Sequence, residues 1–182
     1  MFAYSQRTGR SIATQVLVIG GGVGGTAAAI QSARMGVKTI LIEPTIMLGG
    51  MLTAAGVSCT DGNDQLPSGM WEEFRQALYK HYGRSKLNTG WVSNTNFEPR
   101  VADSIFKAWT VKEKNLTVFF GYEFEAVSKK ENKVTAASFH NKDNTEALKI
   151  NATVIIDGTE LGDVFAAAGA EYDLGMDDPA IS

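Results

Sequence analysis

The N-terminal quarter of the chain alternates between apolar runs and a segment rich in glycine and alanine. Residues 16–19 form a short apolar run, glycine fills five of the next six positions, and residues 26–35 are rich in alanine and end at Gly36. Residues 37–43 form a second, β-branched apolar run. Continuous apolar runs of this length are typical of parallel strands buried on both faces. The pattern therefore predicts a strand, a helix and a second strand joined as a βαβ unit.

Two amphipathic helices are predicted in the middle of the chain, after a long irregular loop. The loop covers residues 44–66 and is rich in glycine and small polar residues. A loop of this length inside a domain is more often functional than idle. The helices are predicted over residues 67–83 and 100–114, where apolar positions recur at helical spacing. A polar linker over residues 83–99 separates them.

From Leu116 onwards the hydrophobic period changes to two, which is the period of a β-strand. Residues 116–121 predict a third core strand. Three further strand-like segments follow, separated by the polar joints ENK and KDNT, and short joints of this kind predict a β-meander. The last segment ends in TVIID, which predicts a return to the main sheet, and a helix follows over residues 160–170. Together the elements predict an α/β fold with a parallel sheet and a β-meander crossover.

The glycines between the first strand and the first helix follow the pattern Gly20-x-Gly22-x-x-Gly25. Gly20 permits the tight turn out of the strand, Gly22 leaves room for an approaching diphosphate, and Gly25 lets the helix pack close to the strand. Val23 and Gly24 then lie in the first turn of the helix, whose free N–H groups and dipole favour a phosphate. The strand, turn and helix context predicts a Rossmann-like dinucleotide-binding domain.

Glu43 ends the second strand, where dinucleotide-binding folds place an acidic residue. A carboxylate at this point accepts hydrogen bonds from the ribose hydroxyls of an adenosine. It would also repel a 2′-phosphate, which disfavours NADP. The alternative, a glycine-rich turn without any ligand, does not account for the spacing, the strand context and the acid together.

The length, charge and cysteine content of the chain limit the number of domains, the partners and the location that we expect for it. The 182 residues match one domain, and we predict a lead-in over residues 1–14 and a single nucleotide-binding domain over residues 15–182. A formal net charge of −3 disfavours nucleic acid and anionic lipid as partners, and no apolar run reaches the roughly 20 residues of a membrane helix. The single Cys59 favours a reducing, cytoplasmic location, while export of a processed precursor stays open.

Two further stretches resemble a known superfamily. EPTIMLGGMLTAAG, which begins at Glu43, and VIIDGTELGD, which begins at Val154, are similar to the glutathione-reductase-type FAD/NAD(P)-binding superfamily. Within it, the chain from Val16 onwards resembles a family of bacterial FAD-dependent oxidoreductases. The resemblance implies FAD as the cofactor and a flavin-dependent oxidation–reduction. Members of that family continue into a substrate domain, so we expect this chain to be an N-terminal portion.

The resemblance also implies cofactor contacts beyond the glycine motif. An acid followed by Gly-Gly passes the diphosphate and ribityl chain in this superfamily, and residues of the later strand end lie near the cofactor. The residues implied are Pro44, Gly49, Gly50, Met51, Phe124 and Thr159. The sequence departs from the usual Ala-Thr-Gly of the superfamily at Gly158-Thr159-Glu160, which leaves the contact at Glu160 open.

The function predicted from these observations is hydride transfer between a small-molecule substrate and a flavin. Two alternatives stay open: an NAD-dependent dehydrogenase domain, and a nucleotide-binding fragment without turnover. Cys59 is the one candidate catalytic residue, either as a thiol near the flavin or as a small packed side chain. The two histidines, His81 and His140, are too isolated for a metal site, His140 is expected to be exposed, and no metal is predicted.

Overall fold

The computed structural model describes residues 9–62, 64–90, 93–143 and 146–173. Their elements follow one another in the predicted order, with helices between the first three core strands and a meander after them. In chain order the elements are β1 (Gly9–Ile19), α1 (Val23–Arg34), β2 (Thr39–Glu43), a 3₁₀ helix (Gly50–Leu52), α2 (Gly69–Tyr82), β3 (Asn88–Gly90), β4 (Ser93–Asn96), α3 (Pro99–Lys112), β5 (Leu116–Phe120), β6 (Tyr122–Lys130), β7 (Lys133–Asn141), β8 (Ala147–Asp157) and α4 (Asp163–Ala167).

A six-stranded mixed sheet has the order β5-β2-β1-β8-β7-β6. Strands β5, β2, β1 and β8 are parallel neighbours, and β6, β7 and β8 pair antiparallel as a meander. Strand β8 belongs to both parts, since it pairs with β7 through residues 147–151 and with β1 along its whole length. The predicted α/β class, with a parallel core and a meander crossover, is confirmed.

The second half of strand β1 lies at the centre of the core and is buried on both faces. Val16 and Val18 point into a cluster with the helices α1, α2 and α3. Leu17 and Ile19 point into a second cluster on the opposite face, which the meander strands complete with Phe139 and other apolar side chains. This two-sided burial is what the continuous apolar run predicted.

The start of β1 differs from the sequence-based expectation. The strand begins at Gly9 rather than at residue 16, and residues 9–14 pair with residues 147–152 of β8 instead of forming a loose lead-in. Backbone pairing with β8 satisfies the N–H and C=O groups of this segment, whose side chains are mostly polar and exposed. The proposed domain boundary between residues 14 and 15 stays a prediction.

Helices α2 and α3 pack against each other through aromatic side chains. The rings of Phe74 and Phe106 stack with centroids 5.1 Å apart, and Trp71 and Trp109 contact the same group. The predicted polar linker between the helices contains a short antiparallel pair of strands, β3 and β4. Trp91, which belongs to the same linker, lies outside the described residues.

None of the helices in the described ranges combines the length and apolarity that a membrane-spanning helix needs.

We predict that Gly25→Ala destabilises the fold while Gly24→Ala does not. A Cβ at Gly25 would collide with the carbonyl oxygen of Gly20, whereas a Cβ at Gly24 meets nothing within 4 Å. Overpacking of this kind costs about 1–3 kcal/mol, and alanine in place of a helical glycine gains up to ~1 kcal/mol. Urea unfolding of the two variants and the parent measures the difference. Equal stabilities for the two variants would contradict this account of Gly25.

We also predict that the contact between α1 and α2 makes a small contribution to the free energy of unfolding, and that this contribution is lost in acid. Arg34 donates two hydrogen bonds to Glu73, at 2.9 and 2.7 Å, and these bonds lower the pKa of Glu73. Stability from this pair is therefore present at neutral pH and is lost as the pH falls through the lowered pKa. Because both side chains are partly exposed, Glu73→Gln should cost less than about 1 kcal/mol at pH 7 and flatten the acid limb of a urea-unfolding series. The exposed Glu171→Gln serves as the control and should leave that limb unchanged.

Candidate functional site

A cavity of about 760 Å³ opens at the carboxyl ends of β1, β2 and β8. It is lined by the glycine turn after β1, the end of β2, the Gly-Gly loop and the turn after β8. We call it the glycine-lined cavity. Ligands of open α/β sheets bind in the crevice outside the carboxyl ends of the strands, so this is the leading candidate site.

Three glycines allow the backbones around the cavity to meet. The N–H of Gly20 donates to the carbonyl of Ile42 at 2.9 Å, and the N–H of Gly158 donates to that of Ile19 at 2.8 Å. A Cβ at Gly20 would collide with the carbonyl of Gly158, and one at Gly25 would collide with the carbonyl of Gly20. Gly20 also has a φ of 97°, which side chains disfavour. These glycines are therefore required by the fold itself.

The first turn of α1 faces a second cavity of about 530 Å³, the helix-entrance cavity. It shares residues with the glycine-lined cavity and is lined by Gly22, Val23, Gly24 and Gly25. Among the described residues no side chain forms a capping hydrogen bond with this helix, and its first turn contains no acidic residue. The first N–H groups of a helix have no partner within the helix, so this end presents unused donors and a positive dipole to an anion.

Glu43 has a structural role that the sequence did not reveal. Its side chain is buried, with Oε2 accepting the N–H of Gly21 at 2.8 Å and Oε1 accepting the N–H of Thr45 at 2.7 Å. The carboxylate thus ties the glycine turn to the end of β2. An ionised carboxylate has about four acceptor positions, so capacity remains for a ribose hydroxyl, and the predicted ribose contact stays a prediction.

The Gly-Gly loop is fixed to the glycine turn by a backbone hydrogen bond. The N–H of Gly49 donates to the carbonyl of Gly21 at 2.7 Å, and a Cβ at Gly49 would lie 2.6 Å from the ring of Phe106. Gly50 and the exposed Met51 line the glycine-lined cavity, whereas Gly49 lies behind them. The loop therefore offers Gly50 and Met51, but not Gly49, as part of the cavity wall.

The turn after β8 is organised by Asp157. Its Oδ1 accepts the N–H and the hydroxyl of Thr159, at 2.9 and 2.6 Å, and its Oδ2 accepts the N–H of Phe165 at 2.8 Å. The Thr159 hydroxyl in turn accepts the N–H of Asp163 at 2.8 Å. Thr159 lines both cavities, and its orientation is set by the acid at the end of the strand.

The remaining predicted residues divide between the cavity and its surroundings. Pro44 and Phe124 line the glycine-lined cavity, together with Tyr122, which the sequence did not single out. Burial raises the pKa of Tyr122, whose hydroxyl donates to Glu146 at 3.1 Å. Cys59 is half-buried and does not line this cavity, while the neighbouring residues at 60 and 61 line a separate, mostly apolar cavity of about 380 Å³.

His140, expected to be exposed, is partly buried between two carboxylates of the meander. Its Nε2 lies 3.1 Å from Glu123, and its Nδ1 lies 3.2 Å from Glu125. A hydrogen bond from Lys142 lowers the pKa of Glu123, which also lines the glycine-lined cavity. The antiparallel register of β6 and β7 brings these residues together, a pairing that strand periodicity alone does not show.

Comparisons with known proteins agree with this geometry. A family model described as FAD dependent oxidoreductase matches residues 15–181. The leghemoglobin reductase of Glycine max is 43% identical over 67 residues, which is 36% of this chain and 12% of that protein. The present chain therefore spans only a small part of that relative.

Solved structures share the fold at low sequence identity. A geranylgeranyl bacteriochlorophyll reductase-like protein of Thermoplasma acidophilum matches with a TM-score of 0.65 and 20% identity, over 91% of this chain and 44% of that one. THI4 of Thermovibrio ammonificans matches with a TM-score of 0.61 and 18% identity, over 85% of this chain and 61% of that one. At these identities the likeness shows the fold alone.

We predict that Glu43→Ala destabilises the chain more than Glu43→Gln. Alanine leaves the N–H groups of Gly21 and Thr45 without their acceptor, and an unsatisfied buried donor costs about 1–3 kcal/mol. Glutamine keeps one side-chain carbonyl oxygen as an acceptor, so Glu43→Gln should lose less stability than Glu43→Ala. Urea unfolding at neutral pH measures both changes, with Glu171→Ala as an exposed control. A Glu43→Ala variant as stable as the parent would show that the carboxylate does not hold the turn.

Proposed function

The chain belongs to the FAD-dependent oxidoreductase family, and we propose that its glycine-lined cavity binds the ADP half of FAD. In this proposal the diphosphate lies against Gly22 and the first turn of α1, and the adenosine ribose meets Glu43. The adenine lies towards Pro44 and Phe124. Gly50, Met51 and Thr159 border the path from the diphosphate towards the ribityl chain.

The main observation that supports this proposal is the glycine at position 22. Its φ of −58° is open to any residue, so backbone conformation does not require glycine there. Packing does not require it either, because the one close neighbour of a Cβ at this position is the carboxylate end of Glu160, at 2.9 Å. Gly20 and Gly25, in contrast, are explained by backbone contacts. A bare backbone that the fold does not need, at the entrance of an uncapped helix, is what an approaching diphosphate needs.

The donor set fits a dinucleotide diphosphate. The helix start offers unpartnered N–H groups with the positive end of the dipole. The buried carboxylate of Glu43 is preformed by its two backbone hydrogen bonds and keeps spare acceptor positions for ribose hydroxyls. Family membership supports FAD rather than NAD as the dinucleotide, and the carboxylate disfavours a 2′-phosphate.

Bound FAD would supply hydride transfer, since the cofactor carries the redox chemistry while the protein supplies position and electrostatics. The residues described above would orient the nucleotide half of the cofactor. A small-molecule substrate is the partner that this chemistry implies. Cys59 lies outside the cavity lining, and both interpretations of it, a redox-active thiol and a small packed side chain, stay open.

We predict that Gly22→Val folds normally and loses nucleotide affinity. The Cβ of the valine comes closer than 3.4 Å only to the flexible end of Glu160, while the side chain fills the space assigned to the diphosphate. We expect the affinity for ADP and for FAD to fall at least about a hundredfold, measured by isothermal titration calorimetry. Circular dichroism and urea unfolding check that the variant remains folded.

Met35→Ala is the matched control for this experiment. Met35 is 73% exposed just beyond the far end of α1, so this variant should bind ADP as the parent does. The proposal fails if Gly22→Val, folded as the parent is, retains the parent's affinity for ADP. It also fails if the folded parent binds neither ADP nor FAD.

A further inference from the structure

Glu160 brings a second carboxylate to the surface assigned above to the diphosphate. Its Oε1 lies 2.9 Å from where a Cβ of Gly22 would be, and 2.6 Å from where a Cβ of Gly50 would be. The residue lines both the glycine-lined cavity and the helix-entrance cavity. One negatively charged oxygen therefore covers the bare faces of the two glycines between which a diphosphate would pass.

Within the described residues, this carboxylate forms no ion pair. No hydrogen bond or ion pair joins the Glu160 side chain to another residue in the described ranges. The described lining of the two cavities contains no lysine, arginine or histidine, but it does contain Glu43, Glu123, Asp157 and Asp163. The attraction for an anion therefore comes from backbone N–H groups and the dipole of α1, and it is opposed by like charge within the same space.

Glu160 is also free to leave this position. The residue is exposed, and Gly162, two positions later, has a φ of 73° at the start of α4. No hydrogen bond holds its carboxylate in place within the described residues, and its Oε1 only lies against Gly22 and Gly50. Asp157, by comparison, is fixed by three hydrogen bonds to its own turn, so the two acids of this turn differ in what holds them.

We propose that Glu160 determines the diphosphate affinity of the site by occupying the anion position beside Gly22 and Gly50. A ligand with a diphosphate has to displace this carboxylate, whereas a ligand without phosphates does not. The inference rests on the proposed function, since it concerns the same site. It gives Glu160 the role of a competitor for the diphosphate position, not of a contact that strengthens binding.

The test compares Glu160→Gln with the parent chain, using ADP and adenosine as the probes. Glutamine keeps the size of the side chain and removes its charge. We expect Glu160→Gln to bind ADP about tenfold more tightly and to bind adenosine with unchanged affinity, as measured by calorimetry in magnesium-free buffer. Glu160→Ala, which also removes the bulk, should tighten ADP binding at least as much.

Glu171→Gln is the control, because it removes one negative charge at an exposed position that lines neither cavity. We expect less than about a twofold change in its ADP affinity. An equal gain in Glu171→Gln and Glu160→Gln would assign the effect to the net charge of the chain and overturn the inference. Unchanged or weaker ADP binding in Glu160→Gln would overturn it as well.

Two further arms separate the inference from the proposed function. If the parent binds ADP and Gly22→Val does not, the proposed function stands whatever Glu160→Gln does. If neither the parent nor Glu160→Gln binds ADP, both proposals fail together. Magnesium chloride added to the titrations supplies the last arm: ADP binding that magnesium tightens in the parent but not in Glu160→Gln would make the carboxylate a cation ligand, and would overturn the competitor role.

Discussion

The fold depends on one close contact between bare backbones, where β1 ends, α1 begins and β8 returns. A Cβ at Gly158 would lie 2.8 Å from the carbonyl oxygen of Gly20 and 3.0 Å from the Cα of Gly25. Because three segments meet here without side chains, β8 can pair with β1 to its last residue, Asp157. The direction of α1 and the opening of the glycine-lined cavity both follow from this contact.

The glycines of the motif Gly20-x-Gly22-x-x-Gly25 occupy their positions for different physical reasons. Gly20 and Gly25 are fixed by the packing of the fold, whereas Gly22 faces only a movable side chain. Glu43 has a structural role and also belongs to the cavity wall. Its carboxylate holds the glycine turn through Gly21, and the residue lines the cavity. The position of the proposed nucleotide-binding surface is therefore set by hydrogen bonds within the chain itself.

Local patterns predicted the elements well, and long-range pairing explains what they missed. The βαβ unit and the meander are visible because hydrophobic periodicity is a local signal. The first half of β1 was missed because its polar residues become a strand only through pairing with residues 147–152. The inward hydrogen bonds of Glu43 and the carboxylates around His140 were missed for a similar reason. Both depend on which backbones and strands lie opposite one another, and the spacing of residues does not encode that.

The electrostatics of the cavity explain why a single side chain has so much influence there. In the described lining an anion is attracted by backbone donors and a helix dipole, which contribute about 0.3–1 kcal/mol at exposed helix ends and up to ~2 kcal/mol when partly buried. A carboxylate in contact with the same surface opposes this attraction with a term of comparable size. Affinity for a diphosphate is then a small difference between opposing terms. Removing Glu160 shifts that difference without altering the backbone contacts that build the site, whereas altering Gly20, Gly25 or Gly158 disturbs the site itself.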